Sequence, residues 1–180
     1  MRVKFSELSK IKKKVKIGWI GLLIAFFILA GGLLGQAHAA IPAIERAALI
    51  ALYVSTDGDN WSNKTGWNGS PGTECGWFGV TCFGDTVTRL DLYNNNLTGN
   101  IPAELGNLTN LQFLFLYSNQ LTSSIPVGLR NLTNLEDLSL YDNQLTGTIP
   151  TWIGDLVNLY DLGLGGNQLI GGIPVGLGKT

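Results

Sequence analysis

The sequence predicts an α/β solenoid, in which short parallel strands stack into a sheet on one side and turns or 3-10 segments form the other side. A segment of 24 residues recurs from residue 87 to the end of the 180-residue chain, and the same apolar positions recur within each copy. A fixed period of this length is typical of proteins built from stacked repeats. The chain's two cysteines lie just before the first repeat, where such a stack needs a cap.

Four repeats are predicted, at residues 87–110, 111–134, 135–158 and 159–180, and the last is truncated. In the LxLxxN segment of each repeat, apolar and other residues alternate, as in a strand with one buried face. The asparagine after each strand is expected to satisfy backbone groups of its own coil and the next, and an isoleucine before each proline is expected to point inward. The positions in register are Leu90, Leu114, Leu138 and Leu162; Leu92, Leu116, Leu140 and Leu164; Asn95, Asn119, Asn143 and Asn167; and Ile101, Ile125, Ile149 and Ile173.

Residues 1–39 predict export from the cytoplasm. Seven basic residues precede an apolar run of 19 residues, 17–35, and small residues follow it at Ala37 and Ala39. This order is typical of a signal peptide, and the glycines before Ala37 favour cleavage after Ala39. The alternative is an uncleaved anchor, with membrane contact only through residues 17–35. Under both interpretations the rest of the chain is secreted or lies on the extracytoplasmic face of the membrane.

The segment CGWFGVTC holds both cysteines, Cys75 and Cys82. Three interpretations are open: a redox pair, half of a metal site, or a disulfide. A zinc site needs about four ligands, yet the single histidine, His38, lies within the export segment, and redox pairs are more often Cys-x-x-Cys. Because a disulfide persists outside the cytosol, the location favours a disulfide that staples a small cap.

Beyond residue 39, the chain has five basic residues against twelve acidic ones, a formal net charge of −7. This balance argues against a nucleic-acid partner, because phosphates require a basic face. The same region contains no histidine, which excludes Ser-His and Cys-His catalytic arrangements, and DGDN (residues 57–60) departs from a calcium loop at Trp61. We therefore expect no catalytic residue, no metal and no cofactor.

Residues that flank the second leucine of each strand are expected to face outward and to stack into columns. Aromatic and acidic residues fill these columns, and we call this surface the aromatic–acidic strip. Large, rigid aromatic side chains favour interfaces, so the strip is the predicted partner-binding surface. The alternative is that the stacked rings only stabilise neighbouring strands. The strip consists of Arg89, Asp91, Tyr93, Phe113, Phe115, Tyr117, Asp137, Ser139, Tyr141, Asp142 and Asp161, with Gly163 and Gly165 at the matching positions of the fourth repeat.

The repeats resemble the plant-type subclass of leucine-rich repeats, whose pattern LxxLxLxxNxLTGxIPxxLGxLxx is matched over residues 87–180. CGWFGVTC is similar to the CxWxGVxC motif of that family's N-terminal cap. Cap and repeats together cover residues 44–180. The resemblance implies a right-handed superhelix with the parallel sheet on its concave face.

The resemblance also implies how the cap is built. A cap at residues 40–86 should begin with a helix at about residues 42–55 and continue into a tryptophan-rich loop. The disulfide should then hold Trp77 and Val80 over Leu90 and Leu92 of the first repeat.

Similar family members act as receptor ectodomains or as inhibitors of polysaccharide-degrading enzymes. The resemblance therefore implies a non-catalytic recognition module that binds a protein, peptide or glycan through its concave face. The alternatives are an inhibitor of a secreted polysaccharide-degrading enzyme, such as a polygalacturonase, and a cell-surface structural or adhesion protein. The last repeat is expected to present Leu162, Leu164 and Leu169 at an unpaired sheet edge. Two interpretations are open: the chain is a fragment of a longer repeat array, or a second copy or a partner covers that edge, so self-association there is a further expectation.

Overall fold

The structure, a computed structural model, describes residues 40–174, 176 and 177. The predicted export segment, residues 1–39, lies outside the described residues. The described part contains one α-helix, α1 (Ala43–Ser55), and none of its helices has the length and hydropathy to cross a bilayer. Its strands are β1 (Val80–Phe83), β2 (Thr86–Asp91), β3 (Thr98–Asn100), β4 (Phe113–Phe115), β5 (Gln120–Thr122), β6 (Asp137–Ser139) and β7 (Asp161–Gly163).

The main sheet has five strands in the order β1-β2-β4-β6-β7, and β3 pairs with β5 in a separate two-stranded sheet. All strand pairs are parallel except β1 with β2, which form an antiparallel hairpin. Leu90, Leu114, Leu138 and Leu162 are aligned across β2, β4, β6 and β7. This register confirms the predicted solenoid, because each strand lies one repeat of 24 residues beyond its neighbour.

One asparagine per repeat closes the turn after each strand. The Oδ1 atom of Asn119 accepts hydrogen bonds of 3.0 Å from the backbone N–H groups of Asn95 and Leu97. Its Nδ2 atom donates to the backbone carbonyls of Leu92 and Leu116, at 2.9 and 3.0 Å. The asparagine ladder is therefore present, but it links each coil to the preceding coil and not to the next one as expected. The same pattern is found at Asn143 and Asn167.

The side opposite the main sheet consists of the expected 3-10 segments, Ala103–Asn107, Val127–Asn131 and Thr151–Asp155. Each follows a proline, which has no N–H group to extend the strand pairing. A Cβ atom on Gly106 would collide with the carbonyl oxygen of Gly128, so glycine permits these two segments to stack at backbone contact.

The core is a column of leucines and isoleucines contributed by successive coils. Leu114 and Leu138 have no exposed surface, and Ile101 and Ile125 are only 2% and 4% exposed. The expectation that every isoleucine of its column is buried is wrong at Ile173, which is 75% exposed. Among the described residues, the coil that contains Ile173 has a neighbouring coil on one side only.

The cap covers the first repeat with an aromatic cluster. Tyr53, Trp61, Trp67 and Trp77 are all buried, and the centroids of their contacting rings lie between 4.8 and 6.0 Å apart. Burial of each ring removes a large apolar surface from water and so stabilises the cap, and the contacts between the rings add to this stability.

The hairpin of β1 and β2 joins this cluster to the repeats. Cys75 and Cys82 form the predicted disulfide, with their Cα atoms 5.5 Å apart. Val80 pairs with Leu90 across the hairpin. The disulfide therefore fixes the strand that lies against the first repeat.

Two charged side chains of α1 tie the helix to the rest of the protein. Glu45 accepts a hydrogen bond of 2.8 Å from the backbone N–H of Val87, at the start of the first repeat. Arg46 forms an ion pair with the buried carboxylate of Glu74 and donates a 2.8 Å hydrogen bond to the carbonyl of Gly69. Both contacts join segments that are far apart in the sequence.

Candidate functional site

The aromatic–acidic strip lies on the outward face of the main sheet. Because the aligned leucines point inward, the residues on either side of them point outward. The aligned columns are Arg89, Phe113, Asp137 and Asp161, and Asp91, Phe115, Ser139 and Gly163. The third column, Tyr93, Tyr117, Tyr141 and Gly165, follows the strands, and Asp142 comes directly after Tyr141.

The three tyrosines of the strip stack face to face as a ladder. The ring centroids of Tyr93 and Tyr117 are 4.8 Å apart with planes 8° from parallel, and those of Tyr117 and Tyr141 are 4.4 Å apart at 13°. Desolvation, and next the neighbouring Tyr141, raise the pKa of the Tyr117 phenol. Stacked rings cover one another's faces, so the ladder presents ring edges and hydroxyl groups to solvent. The outer faces of Tyr93 and Tyr141 have no neighbouring tyrosine.

Arg89 is held in place at the cap end of the strip. Its guanidinium carbon lies 4.4 Å from the ring centroid of Phe115 and 5.4 Å from that of Phe113. It also donates a 2.9 Å hydrogen bond to Oδ2 of Asp91. A guanidinium over an aromatic face with a carboxylate beside it combines cation–π attraction with a charge-assisted hydrogen bond.

The other end of the strip is acidic. Asp137 and Asp161 are partners on β6 and β7, so their backbones are about 4.8 Å apart. Burial raises the pKa of Asp137, the hydrogen bond from Ser139 lowers it, and the charge of Asp161 raises it. No salt bridge among the described residues involves Asp137, Asp142 or Asp161. This end therefore carries negative charge that a partner could neutralise.

Ser139 contributes to the strip mainly through Asp137. Its hydroxyl donates a 2.9 Å hydrogen bond to Oδ1 of Asp137, and its own exposed fraction is 9%. Ser139 therefore orients the carboxylate more than it provides contact surface.

A pocket of about 540 Å³ lies where the strip meets the cap. Arg89, Asp91 and Tyr93 line it together with residues 78–81 of the cap, which the sequence did not single out as site residues. The Oδ1 atom of Asp91 is buried and has no hydrogen-bond partner among the described residues. The motif CGWFGVTC contains these cap residues, but their place in the pocket depends on the β1–β2 hairpin, which no repeat pattern indicates.

The side chains of the strip provide several kinds of non-covalent contact. In the described part of the chain, no group of three or more His, Cys, Asp or Glu residues is placed to hold a metal ion. The strip instead offers ring edges, hydroxyls, a fixed guanidinium and carboxylates across four strands, a width of about 14 Å. Such a surface can hold an extended chain through apolar contact and hydrogen bonds.

Comparison with known families gives two matches that follow each other along the chain. The leucine rich repeat N-terminal domain family matches residues 43–83. The Leucine Rich Repeat family matches residues 86–108, 110–132 and 134–156. Together, these matches take in more than half of the chain.

Leucine-rich repeat protein 1 of Arabidopsis thaliana is 47% identical over 72 residues, which cover 39% of this chain and 32% of that relative. The chain thus spans about a third of this curated relative's length. The ectodomain of the receptor kinase SOBIR1 from Arabidopsis thaliana has a TM-score of 0.61 at 31% identity, covering 72% of this chain and 70% of its own. The ectodomain of GASSHO1/SCHENGEN3 from Arabidopsis thaliana, solved in complex with Casparian strip integrity factor 2, has a TM-score of 0.53 at 31% identity and covers 74% and 19%. By its cap, its repeats and these likenesses, the chain belongs to the leucine-rich repeat family.

Proposed function

We propose that the chain is an exported, non-catalytic recognition module that binds a peptide or an extended protein segment through the aromatic–acidic strip. The observation that carries this proposal is the tyrosine ladder, a row of ring edges and hydroxyls that crosses successive strands. The same surface carries the fixed guanidinium of Arg89 and the carboxylates of Asp137, Asp142 and Asp161, which form no salt bridge among the described residues, so apolar and polar contacts are available side by side. The likeness to a receptor ectodomain that was solved with a partner supports the proposal.

The rigidity of the strip favours binding. Each strip residue is attached to a strand or the turn after it, and the stacked rings have little rotamer freedom left to lose. An extended chain rises about 3.3 Å per residue, so about four residues of a partner suffice to cross the four repeat strands. The affinity then depends on the side chains that these residues place on the strip.

Selection from a displayed library of random peptides, each about 12 residues long, tests the proposal. The full chain should enrich peptides, and the double variant Phe115→Ala with Tyr117→Ala should bind them at least tenfold more weakly. Because Tyr117 stacks on two rings, this variant should also melt a few degrees lower. Binding is therefore measured well below the melting temperature of every variant.

Ile125→Val is the matched control for stability. Its side chain is 4% exposed and lies in the core, away from the strip, and the loss of one buried methylene should destabilise by about 1 kcal/mol. This variant should keep full affinity for the selected peptides. Equal binding by the strip variant and the control would show that the strip is not the binding surface, and the absence of any enriched peptide would contradict peptide binding.

A further inference from the structure

We propose that the strip binds an arginine side chain of its partner in a slot beside Tyr141, where the fourth repeat has glycine instead of a fourth tyrosine. We name this slot by its lining, Tyr141, Asp142, Gly163 and Gly165. The inference rests on the proposed function and adds to it the chemistry of the partner.

The slot exists because the tyrosine ladder ends at Tyr141. Gly165 occupies the position that Tyr93, Tyr117 and Tyr141 occupy in the earlier repeats. A Cβ atom on Gly165 would meet no atom within 4 Å, whereas one on Gly163 would lie 3.0 Å from Cδ1 of Tyr141. The Tyr141 ring therefore extends over Gly163, and the space at Gly165, where a fourth tyrosine would begin, is open.

A carboxylate stands at the side of this open space. The backbone N–H of Asp142 donates a 2.8 Å hydrogen bond to the carbonyl of Gly165, which fixes Asp142 against the fourth repeat. A Cβ atom on Gly166 would collide with Oδ1 of Asp142, so the carboxylate reaches over the residue next to the slot. The side chain of Asp142 is exposed, and Asp161 adds a second negative charge two residues before Gly163.

At the cap end of the strip, an aromatic face and a carboxylate together hold a guanidinium that belongs to the chain itself. There, Arg89 lies over the Phe115 ring and bonds Asp91. At the Tyr141 end, the aromatic face and the carboxylate are both present, but the stacked cations of the described residues are Arg46 and Arg89, both at the cap side. A partner's guanidinium would complete the same arrangement a second time.

Arginine fits the slot better than other side chains. Its guanidinium is planar, so it can stack flat on the Tyr141 face while its in-plane N–H groups reach the carboxylate of Asp142. A lysine ammonium is compact, strongly hydrated and not planar, so it cannot stack flat on the ring as a guanidinium does. A net charge of −7 beyond residue 39 also favours a cationic partner over an anionic one.

NMR titration of the full chain with N-acetyl-arginine amide tests the slot without a known partner. The backbone amides of Asp142, Gly163 and Gly165 should shift together, with an affinity at least fivefold higher than for N-acetyl-lysine amide. N-acetyl-citrulline amide, which has the same shape without the charge, should bind more weakly than the arginine compound. Equal shifts with lysine, or shifts that lie elsewhere on the surface, would overturn the proposal.

Two variants locate the binding. Gly165→Tyr supplies the missing rung, so it should raise the melting temperature by a few degrees and abolish the arginine-induced shifts around Tyr141. Gly172→Tyr is its control, because a Cβ atom there also meets no atom within 4 Å and its backbone is not left-handed. Asp142→Asn should weaken arginine binding at least threefold, and the exposed Asp155→Asn should leave it unchanged. Arginine binding that survives both slot variants would overturn the proposal.

The library selection, repeated with Gly165→Tyr, distinguishes a failure of the slot proposal from a failure of the proposed function. If the slot is wrong but the strip binds peptides, the library peptides will depend on Phe115 and Tyr117, contain no preferred arginine, and bind Gly165→Tyr at full strength. If the slot and the proposed function are both right, the enriched peptides will share an arginine. Its replacement by lysine will lower their affinity for the wild-type chain at least fivefold and will not change their affinity for Gly165→Tyr.

Discussion

The cap and the repeats of this protein bury their cores by different means. In the repeats, the same leucine and asparagine contacts recur every 24 residues, so each coil depends on its neighbours. In the cap, each contact occurs once: a disulfide, a cluster of four aromatic rings, and the charged contacts of Glu45 and Arg46. The difference shows that a change in a repeat should weaken two coils at once, whereas a change in the cap should act mainly at one end.

The greatest loss of stability is expected for Asn119→Ala, which acts at the junction of two coils. The substitution leaves two backbone N–H groups and three backbone carbonyls without the bonds that Asn119 provides. The carbonyls of Leu116 and Tyr117 keep a second bond, from Asn143 and Asn94. At roughly 1 kcal/mol for each of the three groups left without a partner, the free energy of unfolding should fall by about 3 kcal/mol, measured by urea denaturation.

Asn134→Ala is the matched control for this prediction. The Asn134 side chain is exposed and donates a 2.9 Å hydrogen bond to the carbonyl of Thr109. Its removal should cost less than about 1 kcal/mol. Equal losses in the two variants would mean that the asparagine ladder does not hold the coils together.

A smaller loss is expected when the disulfide of the cap is removed. Replacing Cys75 and Cys82 together by serine frees a loop of eight residues, which should cost about 2–3 kcal/mol and lower the melting temperature by several degrees. Hydrogen exchange should accelerate in β1 and β2 and remain slow in β6. An unchanged thermal melt would contradict the stapling role, and uniform acceleration would contradict the local character of the cap.

The repeats could be predicted from the sequence because their contacts are periodic. The leucine register from Leu90 to Leu162 follows from the spacing alone, and the structure confirms it. The direction of the asparagine bonds could not be derived in this way, since a column of Asn119 and its equivalents can bond either neighbouring coil with equal chemistry. In the structure, Asn119, Asn143 and Asn167 all bond the preceding coil.

In the cap, the helix and the disulfide agree with the prediction, but the charged contacts could not be predicted because they have no period. Glu45 bonds a residue 42 positions away, and Arg46 pairs with a residue 28 positions away. Nothing in the local sequence of α1 indicates those partners. The family motif implied the disulfide region and the position of Trp77, but it carried no information about these charged contacts.

The candidate site could be predicted from the sequence less completely than the repeats but more completely than the charged contacts of the cap. Strand alternation predicts which residues form the aromatic–acidic strip, and the structure places Phe113, Phe115 and Asp137 on aligned strands. The face-to-face stacking of the tyrosines required the actual side-chain geometry. From the sequence alone, Gly165 is a position at which the tyrosine column is interrupted. The slot beside Tyr141 could not be predicted from that interruption without the positions of the rings.

The smallest effect is expected from Glu45→Gln, and it appears as a change in pH dependence. Burial raises the pKa of Glu45 above its ordinary value of 4.5, the hydrogen bond from Val87 opposes this, and the charge of Asp85 adds to it. Since the folded protein holds this proton at a higher pH than the unfolded chain, the contribution of Glu45 to stability falls as pH rises from 4.5 through the raised pKa, and stays level above it.

Glutamine removes this titration while its side-chain oxygen can still accept the bond from Val87. The stability of Glu45→Gln relative to the wild-type chain should therefore increase with pH over the window just above 4.5 and stay constant beyond it, which urea denaturation at a series of pH values would measure. Glu104→Gln, at an exposed position of the first repeat, should show no such trend. A flat difference for Glu45→Gln would mean that Glu45 takes up its proton equally in both states. The junction of cap and repeat would then be held by packing and the disulfide, without a cost from the buried carboxylate.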